Sequence, residues 1–313
     1  MSLENMPECG KQCIYAVFDM GGTVIKASLM NDSGKIVEDT FGTYPACSYQ
    51  TDVILLNRVV EILLQMLERC PGCRLKGIGF SFPGPFDYEH GISYMKGLNK
   101  YDSLYGINVR KEILRRINGR VSASDKENDL MLLFENDAAL FALGECNENK
   151  ILQNSSVLCL TLGTGVGSAF IRNGRLLREG KDIPEHGWIY CCPYNGGCVE
   201  DYLSRRRIIE LAVKYHMSID EPIDLYYMAV QGSRTAWKIW EEFGTKAGEI
   251  LNPYMERFGG RYLVLGGQIS KAAQFFMDSL KKAIGSKYIV CTASRQSAES
   301  IFHGMYQLFT QGR

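Results

Sequence analysis

A short structural unit occurs twice in this sequence, and the repeat restricts the possible folds more than any other feature does. Each copy is an apolar β-rich run, a Gly turn, a second run, a polar turn and a third short run. The runs lie at 14–18, 24–30 and 35–37 in the first half and at 157–162, 169–171 and 175–177 in the second. Strand-forming runs separated by Gly and Asn turns predict antiparallel hairpins. We therefore predict two related α/β domains, each opening with such a hairpin, with a cleft between them.

Outside the repeated unit, the sequence predicts a mixture of helices and strands. Apolar residues at 52–69 recur at helical spacing, and Pro71 and Gly72 end that helix. A helix at 233–251 is expected to stop at Asn252 and Pro253, because proline cannot continue the helical hydrogen bonding. The other predicted helices lie at 138–145, 198–215, 269–284 and 297–310, and the other predicted strands at 75–82, 130–134, 262–265 and 289–291.

The composition excludes several classes of protein. The 313 residues suffice for two domains, and 35 basic against 35 acidic residues leave a formal net charge of zero. A neutral chain has no broad attraction for nucleic acid or anionic membranes, so neither is expected as a partner. Residues 1–13 are polar, unlike a secretory signal, and no apolar run reaches the ~18 residues of a membrane span. Eleven scattered cysteines do not resemble a secreted disulfide framework, so we predict a cytoplasmic protein.

Three Gly-rich turns follow predicted strands, at 19–23, 163–167 and 266–270. Glycine lets backbone N–H groups approach a phosphate closely, and adjacent N–H groups form an anion-binding nest. A single turn of this kind is more simply a tight hairpin connection. Two of the three, however, occupy matching places in the repeated unit, which favours a nucleotide site. No P-loop pattern occurs, and the 163–167 turn precedes a predicted strand rather than the helix of a dinucleotide fingerprint.

Acidic residues stand at two of the predicted strand ends. Asp19 precedes the first Gly pair, where a carboxylate can hold Mg²⁺ directly or through water; the alternative is a turn-capping Asp. Asn136 and Asp137 lie between a predicted strand and a predicted helix. Both residue types cap helices well. The functional alternative is a general base that takes a proton from a substrate hydroxyl, as phosphoryl transfer requires.

The segment 185–200 is rich in groups that bind metals. Its candidate zinc ligands are His186, Cys191, Cys192 and Cys198. Adjacent cysteines rarely reach one tetrahedral ion, so buried or loop thiols are the favoured interpretation. Cys70 and Cys73 have redox-like spacing but lie between a helix and a strand, without the helix that carries a catalytic pair, and we predict a plain loop.

Together these motifs resemble those of the ROK family, which contains repressors and sugar kinases, and the resemblance covers nearly the whole chain. The motifs that match the phosphate side of that family are Asp19-x-Gly21-Gly22-Thr23-x-x-Lys26, Gly163-Thr164-Gly165-x-Gly167 and Gly266-Gly267-x-x-Ser270. Those that match its sugar side are Ser81-x-x-Gly84-Pro85, Asn136-Asp137 with Leu143-Gly144-Glu145, Glu185, and Gly197-Cys198-x-Glu200.

The resemblance implies a fold and an activity. The fold is α/β: the two-domain actin-like ATPase (hexokinase/RNase H-like) fold with an interdomain active-site cleft. Its first domain would span 1–133, with 298–313 packing back on it, and its second domain 134–297. The activity is ATP-dependent phosphorylation of a hexose or hexose derivative, most readily at the 6-hydroxyl, with ATP and Mg²⁺ as cofactors. A homodimer is also implied.

The resemblance further implies the site residues. Asp137 is the implied general base, and Asp19 is the implied neighbour of Mg²⁺. Contacts to the sugar are implied for Gly84, Asn136, Glu185, Trp188 and Glu200. Contacts to the nucleotide are implied for Asp19, Gly21, Gly22, Thr23, Lys26, Gly163, Thr164, Gly165, Gly167, Gly266, Gly267 and Ser270.

The chain departs from the family pattern in the zinc loop. Trp188 stands where that pattern has His, and, counted back from Cys198, Pro193 replaces the second of its cysteines. Two of the four zinc ligands of the pattern are absent, so we predict no structural zinc. The missing His also normally touches the sugar. Trp188 either stacks on a pyranose face or packs where the metal loop was.

Residues 1–13 are too few for the helix-turn-helix module of the family repressors, which favours the kinase branch. One alternative is a non-catalytic sugar sensor of the same fold, against which the retained Asp19 and Asp137 argue. A second alternative is a kinase for a glycoside or an N-acylated amino sugar. A third is a zinc-dependent scaffold built around residues 186–198.

Overall fold

The computed structural model describes residues 12–294 and 297–311, which form two compact units. The first unit takes the chain up to Asn136 together with the residues from Met305 onward, and the second is Asp137–Gly304. Residues 1–11, 295–296 and 312–313, which belong to the predicted domains, lie outside the described residues. Each unit is built on its own five-stranded sheet. None of the helices in the described ranges is long and apolar enough to cross a membrane.

The sheet of the first unit begins with the predicted hairpin. The strands of this unit are β1 (Cys13–Met20), β2 (Val24–Asn31), β3 (Gly42–Pro45), β4 (Arg74–Ser81), β5 (Phe86–Asp87), β6 (Ile92–Ser93) and β7 (Lys126–Glu135). The spatial order in the sheet is β3-β2-β1-β4-β7, while β5 and β6 pair only with each other. β2 runs antiparallel to β1, whereas β4 runs parallel to β1 and β7 parallel to β4.

The predicted third strand at 35–37 is wrong in position. Ile36 makes only an isolated bridge to Met30, and the third strand is β3, which pairs with the first half of β2. The displacement has a local cause: the buried Thr40 accepts a hydrogen bond from the amide of Leu29 through its Oγ1 at 3.1 Å. This side chain occupies the edge position that a continuous third strand would take.

Two helices flank this sheet, α1 (Asp52–Glu68) and α2 (Val109–Ile117). Thr51 and Asn108 cap them, and the Asn108 side chain accepts from the amide of Lys111 at 2.9 Å. α1 turns a continuous apolar face inward: Leu55, Leu56, Val59, Val60, Ile62, Leu63 and Met66. Each such side chain contributes roughly 1.5–3 kcal/mol through burial.

The segment after α1 differs from the plain loop predicted for it. Cys70 and Cys73 form a disulfide with a Cα–Cα separation of 5.7 Å, within the range that a disulfide spans. The loop therefore closes on itself before β4 begins.

The second unit repeats the sheet of the first, which confirms the predicted duplication. Its strands are β8 (Ser156–Leu162), β9 (Val166–Arg172), β10 (Arg175–Leu177), β11 (Pro193–Tyr194), β12 (Gly197–Cys198), β13 (Tyr262–Gly266) and β14 (Ile289–Thr292). The spatial order of its sheet is β10-β9-β8-β13-β14, which matches the first sheet strand for strand, and β11 and β12 form a separate hairpin. β9 is antiparallel to β8, and β13 is parallel to both β8 and β14.

Most helices in the described ranges belong to the second unit. They are α3 (Asp137–Glu148), α4 (Lys150–Gln153), α5 (Glu200–Leu203), α6 (Arg205–Lys214), α7 (Pro222–Val230), α8 (Arg234–Phe258), α9 (Ala273–Ile284) and α10 (Ser297–Gln311). The residues of α10 from Met305 onward are assigned to the first unit. The single helix predicted at 198–215 is in fact two, because the chain turns to extended backbone at Ser204.

The predicted end of α8 is wrong. The helix continues through Pro253 to Phe258 and stops at Gly259, whose φ of 65° is left-handed. Proline removes one helical hydrogen bond, but the turn beyond it buries Met255 and Phe258 completely in the core of the unit. Tertiary burial outweighs the local penalty here.

Candidate functional site

The first Gly turn closes the β1–β2 hairpin, and two side chains hydrogen-bond to its carbonyl oxygens. Its Gly21 must be glycine, because a Cβ there would lie 2.6 Å from the carbonyl oxygen of Val24. The Tyr101 hydroxyl donates to the carbonyl oxygen of Gly21 at 2.7 Å, and the Ser48 hydroxyl donates to that of Gly22 at 2.5 Å. Both carbonyls of the Gly pair therefore face the protein.

The opposite edge of the same turn is polar and exposed. In a planar trans peptide the C=O and N–H groups point in opposite directions. Since the carbonyls of Gly21 and Gly22 point at Tyr101 and Ser48, the N–H groups of Gly22 and Thr23 point away from the protein. Gly22 and Thr23 are both exposed. Two adjacent outward N–H groups form a nest that suits an anion.

Asp19 and Lys26 lie opposite each other in the β1–β2 register just before this turn. Burial, and after it the negative charge of Asp19, raises the pKa of Tyr101. The Gly21 amide donates to the carbonyl oxygen of Asp19 at 3.2 Å, so Asp19 is joined directly to the turn. The site thus offers one carboxylate, the kind of oxygen ligand that Mg²⁺ takes, close to the outward N–H groups of Gly22 and Thr23.

The second Gly turn joins β8 and β9 in the second unit. The Gly163 amide donates to the Gly165 carbonyl oxygen at 3.0 Å, and the Gly163 carbonyl oxygen accepts from the Arg205 amide at 2.8 Å. The N–H of Thr164 belongs to the same trans peptide as this carbonyl and points in the opposite direction. Thr164 is exposed, so its N–H points outward. Gly167 serves packing instead, since a Cβ there would lie 2.6 Å from the Cβ of Ala138 in α3.

Glu200, the first residue of α5, reaches this second turn. Its Oε2 accepts a hydrogen bond from the amide of the buried Val166 at 3.0 Å. A Cβ on Gly165 would come within 2.6 Å of the same oxygen. The carboxylate predicted to bind sugar is therefore in contact with the predicted phosphate turn of its own unit.

The third Gly turn follows β13. Gly266 lies under the ring of Phe141, and Gly267 has a left-handed φ of 84° and no space for a side chain against Leu162. The Ser270 hydroxyl donates to the carbonyl oxygen of Gly267 at 2.8 Å and closes the turn. The structure thus brings Gly266, Gly267 and Ser270 into one tight loop.

Asn136 and Asp137 form the junction between β7 and α3, as the sequence predicts. The Asn136 Nδ2 lies 3.4 Å from the Tyr88 hydroxyl, which itself donates to the carbonyl oxygen of Phe82 at 3.0 Å. The Tyr88 oxygen also lies 3.5 Å from the place of a Cβ on Gly84. The predicted sugar-side residues Gly84 and Asn136 therefore meet through Tyr88, which the sequence analysis did not single out.

Asp137 is the exposed first residue of α3. Its Oδ1 accepts from the amide of Ala138 at 2.9 Å. A carboxylate at the start of a helix can accept from a backbone amide, and a carboxylate can also take a proton from a bound hydroxyl. The two interpretations given by the sequence are compatible in this geometry.

Glu185 and Trp188 lie on the loop that precedes the β11–β12 hairpin. The buried Ser168 of β9 anchors this loop, since its hydroxyl donates to the Gly187 carbonyl oxygen at 2.7 Å and accepts from the Ile189 amide at 3.0 Å. The Glu185 side chain is 89 % exposed. The Trp188 ring is half-buried, with the ring of His186 at a centroid distance of 4.7 Å.

Cys198 lies on β12, and Cys191 and Cys192 come just before β11. Asp201 accepts from the Cys198 amide at 2.8 Å, and the Tyr194 ring packs edge-on against Tyr202 at 5.0 Å. Burial, followed by the neighbouring Cys192, raises the pKa of Cys191. Across residues 12–294 and 297–311, no group of three or more His, Cys, Asp or Glu side chains has the arrangement of a metal site.

The two side chains that hold the first turn, Tyr101 and Ser48, cannot be recognised from the sequence. Tyr101 is 80 residues from Gly21, and Ser48 is 26 residues from Gly22. Neither belongs to a local motif, and a tyrosine or serine in a loop gives no signal of a distant carbonyl partner.

Two sheets of the same strand order, each opening with a hairpin closed by a Gly turn, define a protein of the actin-like ATPase fold. The chain belongs to the ROK family, whose family model matches residues 15–302. This confirms the resemblance and the fold class predicted from the sequence.

Two characterised relatives illustrate the similarity. The chain is 26% identical to the glucokinase of Thermotoga maritima, over 85% of this chain and 85% of that protein. It is 27% identical to the N-acetyl-D-glucosamine kinase of Haemophilus influenzae, over 93% of this chain and 95% of that protein. Among solved structures, a glucokinase from Parabacteroides distasonis matches with a TM-score of 0.77 at 23% identity, covering 98% of this chain and 100% of that chain.

Proposed function

We propose that this chain is an ATP-dependent sugar kinase that transfers the γ-phosphoryl group of ATP to the 6-hydroxyl of a hexose. The observation that carries the proposal is Asp137, an exposed carboxylate on the first residue of α3, next in the chain to the Asn136 amide. Similarity to proteins named glucokinase and N-acetyl-D-glucosamine kinase supports sugar phosphorylation.

Asp137 acts as the general base in this proposal. Its carboxylate accepts the proton of the sugar hydroxyl while the hydroxyl oxygen forms a bond to the γ-phosphorus. The bond from that phosphorus to the β–γ bridging oxygen breaks, and ADP leaves. The Ala138 amide donates to Oδ1 of the same carboxylate and helps to fix its position at the start of α3. Phosphoryl transfer asks little other covalent chemistry of the protein.

The sugar ring is oriented by hydrogen bonds from Asn136, Glu185 and Glu200, with Gly84 supplying a close backbone approach. Tyr88 holds the Asn136 amide in place. Trp188 is half-buried, so one part of its indole packs on the loop while the rest is available to an apolar sugar face. Glucose and N-acetylglucosamine are the first candidate substrates, because they are the sugars in the names of the relatives.

The phosphates are held by backbone N–H groups of the first two Gly turns. The outward N–H groups of Gly22, Thr23 and Thr164 supply the donors. The loop of Gly266, Gly267 and Ser270 lies on the adenosine side. Asp19 fits Mg²⁺ by its oxygen chemistry and its place beside the first turn, and bound Mg²⁺ neutralises charge on the phosphates.

A panel of hexoses with ATP and Mg²⁺, followed by coupled ADP detection, tests the proposal. We expect turnover with at least one hexose and a loss of about 10²–10⁴-fold in kcat for Asp137→Asn, the usual contribution of a general base. The Asn side chain keeps an oxygen for the Ala138 amide, so the variant retains its fold. Asp129→Asn, an exposed position of β7, is the matched control and should keep full activity. Sugar binding without turnover in the wild type would contradict the proposal, and undiminished turnover in Asp137→Asn would contradict the assignment of the base.

A further inference from the structure

Lys100 lies across the first Gly turn. A Cβ built on Gly22 would come 3.2 Å from the Cδ and 3.8 Å from the Cβ of Lys100, so the aliphatic stem of the lysine covers this glycine. Lysine commonly packs its stem in this way while its ammonium stays in solvent. Lys100 belongs to none of the sequence motifs.

A buried anchor determines where Lys100 lies. The adjacent Tyr101 is fully buried and has a left-handed φ of 58°. Its amide donates to the Ser48 carbonyl oxygen at 2.6 Å, and its hydroxyl donates to the Gly21 carbonyl oxygen at 2.7 Å. The backbone on which Lys100 is carried is thus tied to the same turn that its side chain covers.

Lys100 brings a positive charge to the first Gly turn. Within the part of the chain that the structure describes, its ammonium forms no ion pair and no hydrogen bond. The outward N–H groups of Gly22 and Thr23 lie on the same exposed turn. One cation and two N–H donors on the same turn attract an anion with several oxygens.

We propose that Lys100 is the side-chain cation of the phosphate site at the first Gly turn and binds the polyphosphate of ATP. This rests on the proposed function. Lys26, the lysine that the family motif contains, lies on β2 opposite Asp19 instead. Lys100 therefore supplies positive charge at the turn itself.

The test compares Lys100→Met and Lys100→Arg with Lys96→Met. Methionine keeps the stem over Gly22 and removes the charge, and arginine restores the charge. Lys96 is an exposed lysine of the same loop whose ammonium lies 5.1 Å from the centre of the Tyr105 ring, and it serves as the control. Binding of ATP and of adenosine is measured by calorimetry, and KM and kcat are measured with the preferred sugar.

We expect Lys100→Met to weaken ATP binding about 10- to 100-fold, the range for loss of a charge-assisted hydrogen bond, and to leave adenosine binding unchanged. Lys100→Arg should recover most of the ATP affinity, and Lys96→Met should behave as wild type. Equal ATP binding by wild type and Lys100→Met would overturn the proposal, as would a parallel loss of ATP and adenosine binding. If the wild type binds ATP in a Lys100-dependent way but phosphorylates no sugar, the proposed function fails while this inference stands.

Discussion

Removal of the Glu200 side chain gives a prediction that follows directly from one hydrogen bond. The Glu200 Oε2 accepts from the Val166 amide at 3.0 Å, and Val166 is 4% exposed. Glu200→Ala removes the acceptor of this buried N–H. A hydrogen bond to a charged acceptor contributes about 1.5–3 kcal/mol, so we expect a local loss of about 2 kcal/mol in the second Gly turn. Glu200→Gln keeps a neutral acceptor and should lose about half as much.

Hydrogen exchange followed by mass spectrometry measures this loss where it occurs. A local loss of about 2 kcal/mol corresponds to about 30-fold faster exchange in a peptide that covers residues 163–167. In the kinetic assay, Glu200→Ala should raise the KM for ATP as well as that for the sugar, because it loosens the phosphate turn. Glu179→Ala, an exposed glutamate of the same unit, is the control and should change neither quantity.

Unchanged hydrogen exchange in residues 163–167 of Glu200→Ala would contradict the predicted loss of stability in the second Gly turn. A rise in the sugar KM alone, with the ATP KM unchanged, would show that Glu200 contacts only the sugar. In that case the hydrogen bond to Val166 has no part in nucleotide binding.

Three further predictions concern the sugar side, the helix packing and the metal content. Tyr88→Phe removes the hydroxyl next to the Asn136 amide, so the sugar KM should rise about three- to tenfold in steady-state assays while the ATP KM stays constant. Gly144→Ala places a Cβ 1.9 Å from the Ser300 carbonyl oxygen and should lower the melting temperature by roughly 5–10 °C in calorimetry; an unchanged temperature would contradict the close packing of α3 and α10. Metal analysis of the purified protein should find well under one zinc per chain, and a chelator should leave the melting temperature unchanged; one zinc per chain would contradict the interpretation of the cysteine loop.

Local patterns made the sheets predictable. Each hairpin is formed by neighbouring segments, and a Gly turn between two apolar runs determines its pairing, so the hairpin that opens each unit could be predicted from the sequence. The third strand of the first unit was misplaced because the Thr40 side chain, rather than a strand, accepts the hydrogen bond from the Leu29 amide at the edge of β2. The end of α8 was misplaced because burial of Phe258 decides how far the helix runs, and burial is not a local property.

The same distinction applies to the site. Motif residues such as Asp137 and the Gly pairs could be selected as candidates from the sequence, because their residue types and spacing indicate a function. Tyr88, Tyr101 and Lys100 act through partners far away in the chain, such as Gly21, so no spacing reveals them. Contacts between residues so far apart in the chain can be recognised only in the folded structure.

The most direct test of the account is the identity of the product. Purified protein is incubated with ATP, Mg²⁺ and either glucose or N-acetylglucosamine, and the product is analysed by ³¹P and ¹H NMR. We expect a phosphomonoester on the oxygen of carbon 6, formed in equal amount with ADP and absent with Asp137→Asn. Phosphate on another hydroxyl, or ADP formed only with free phosphate, would contradict it.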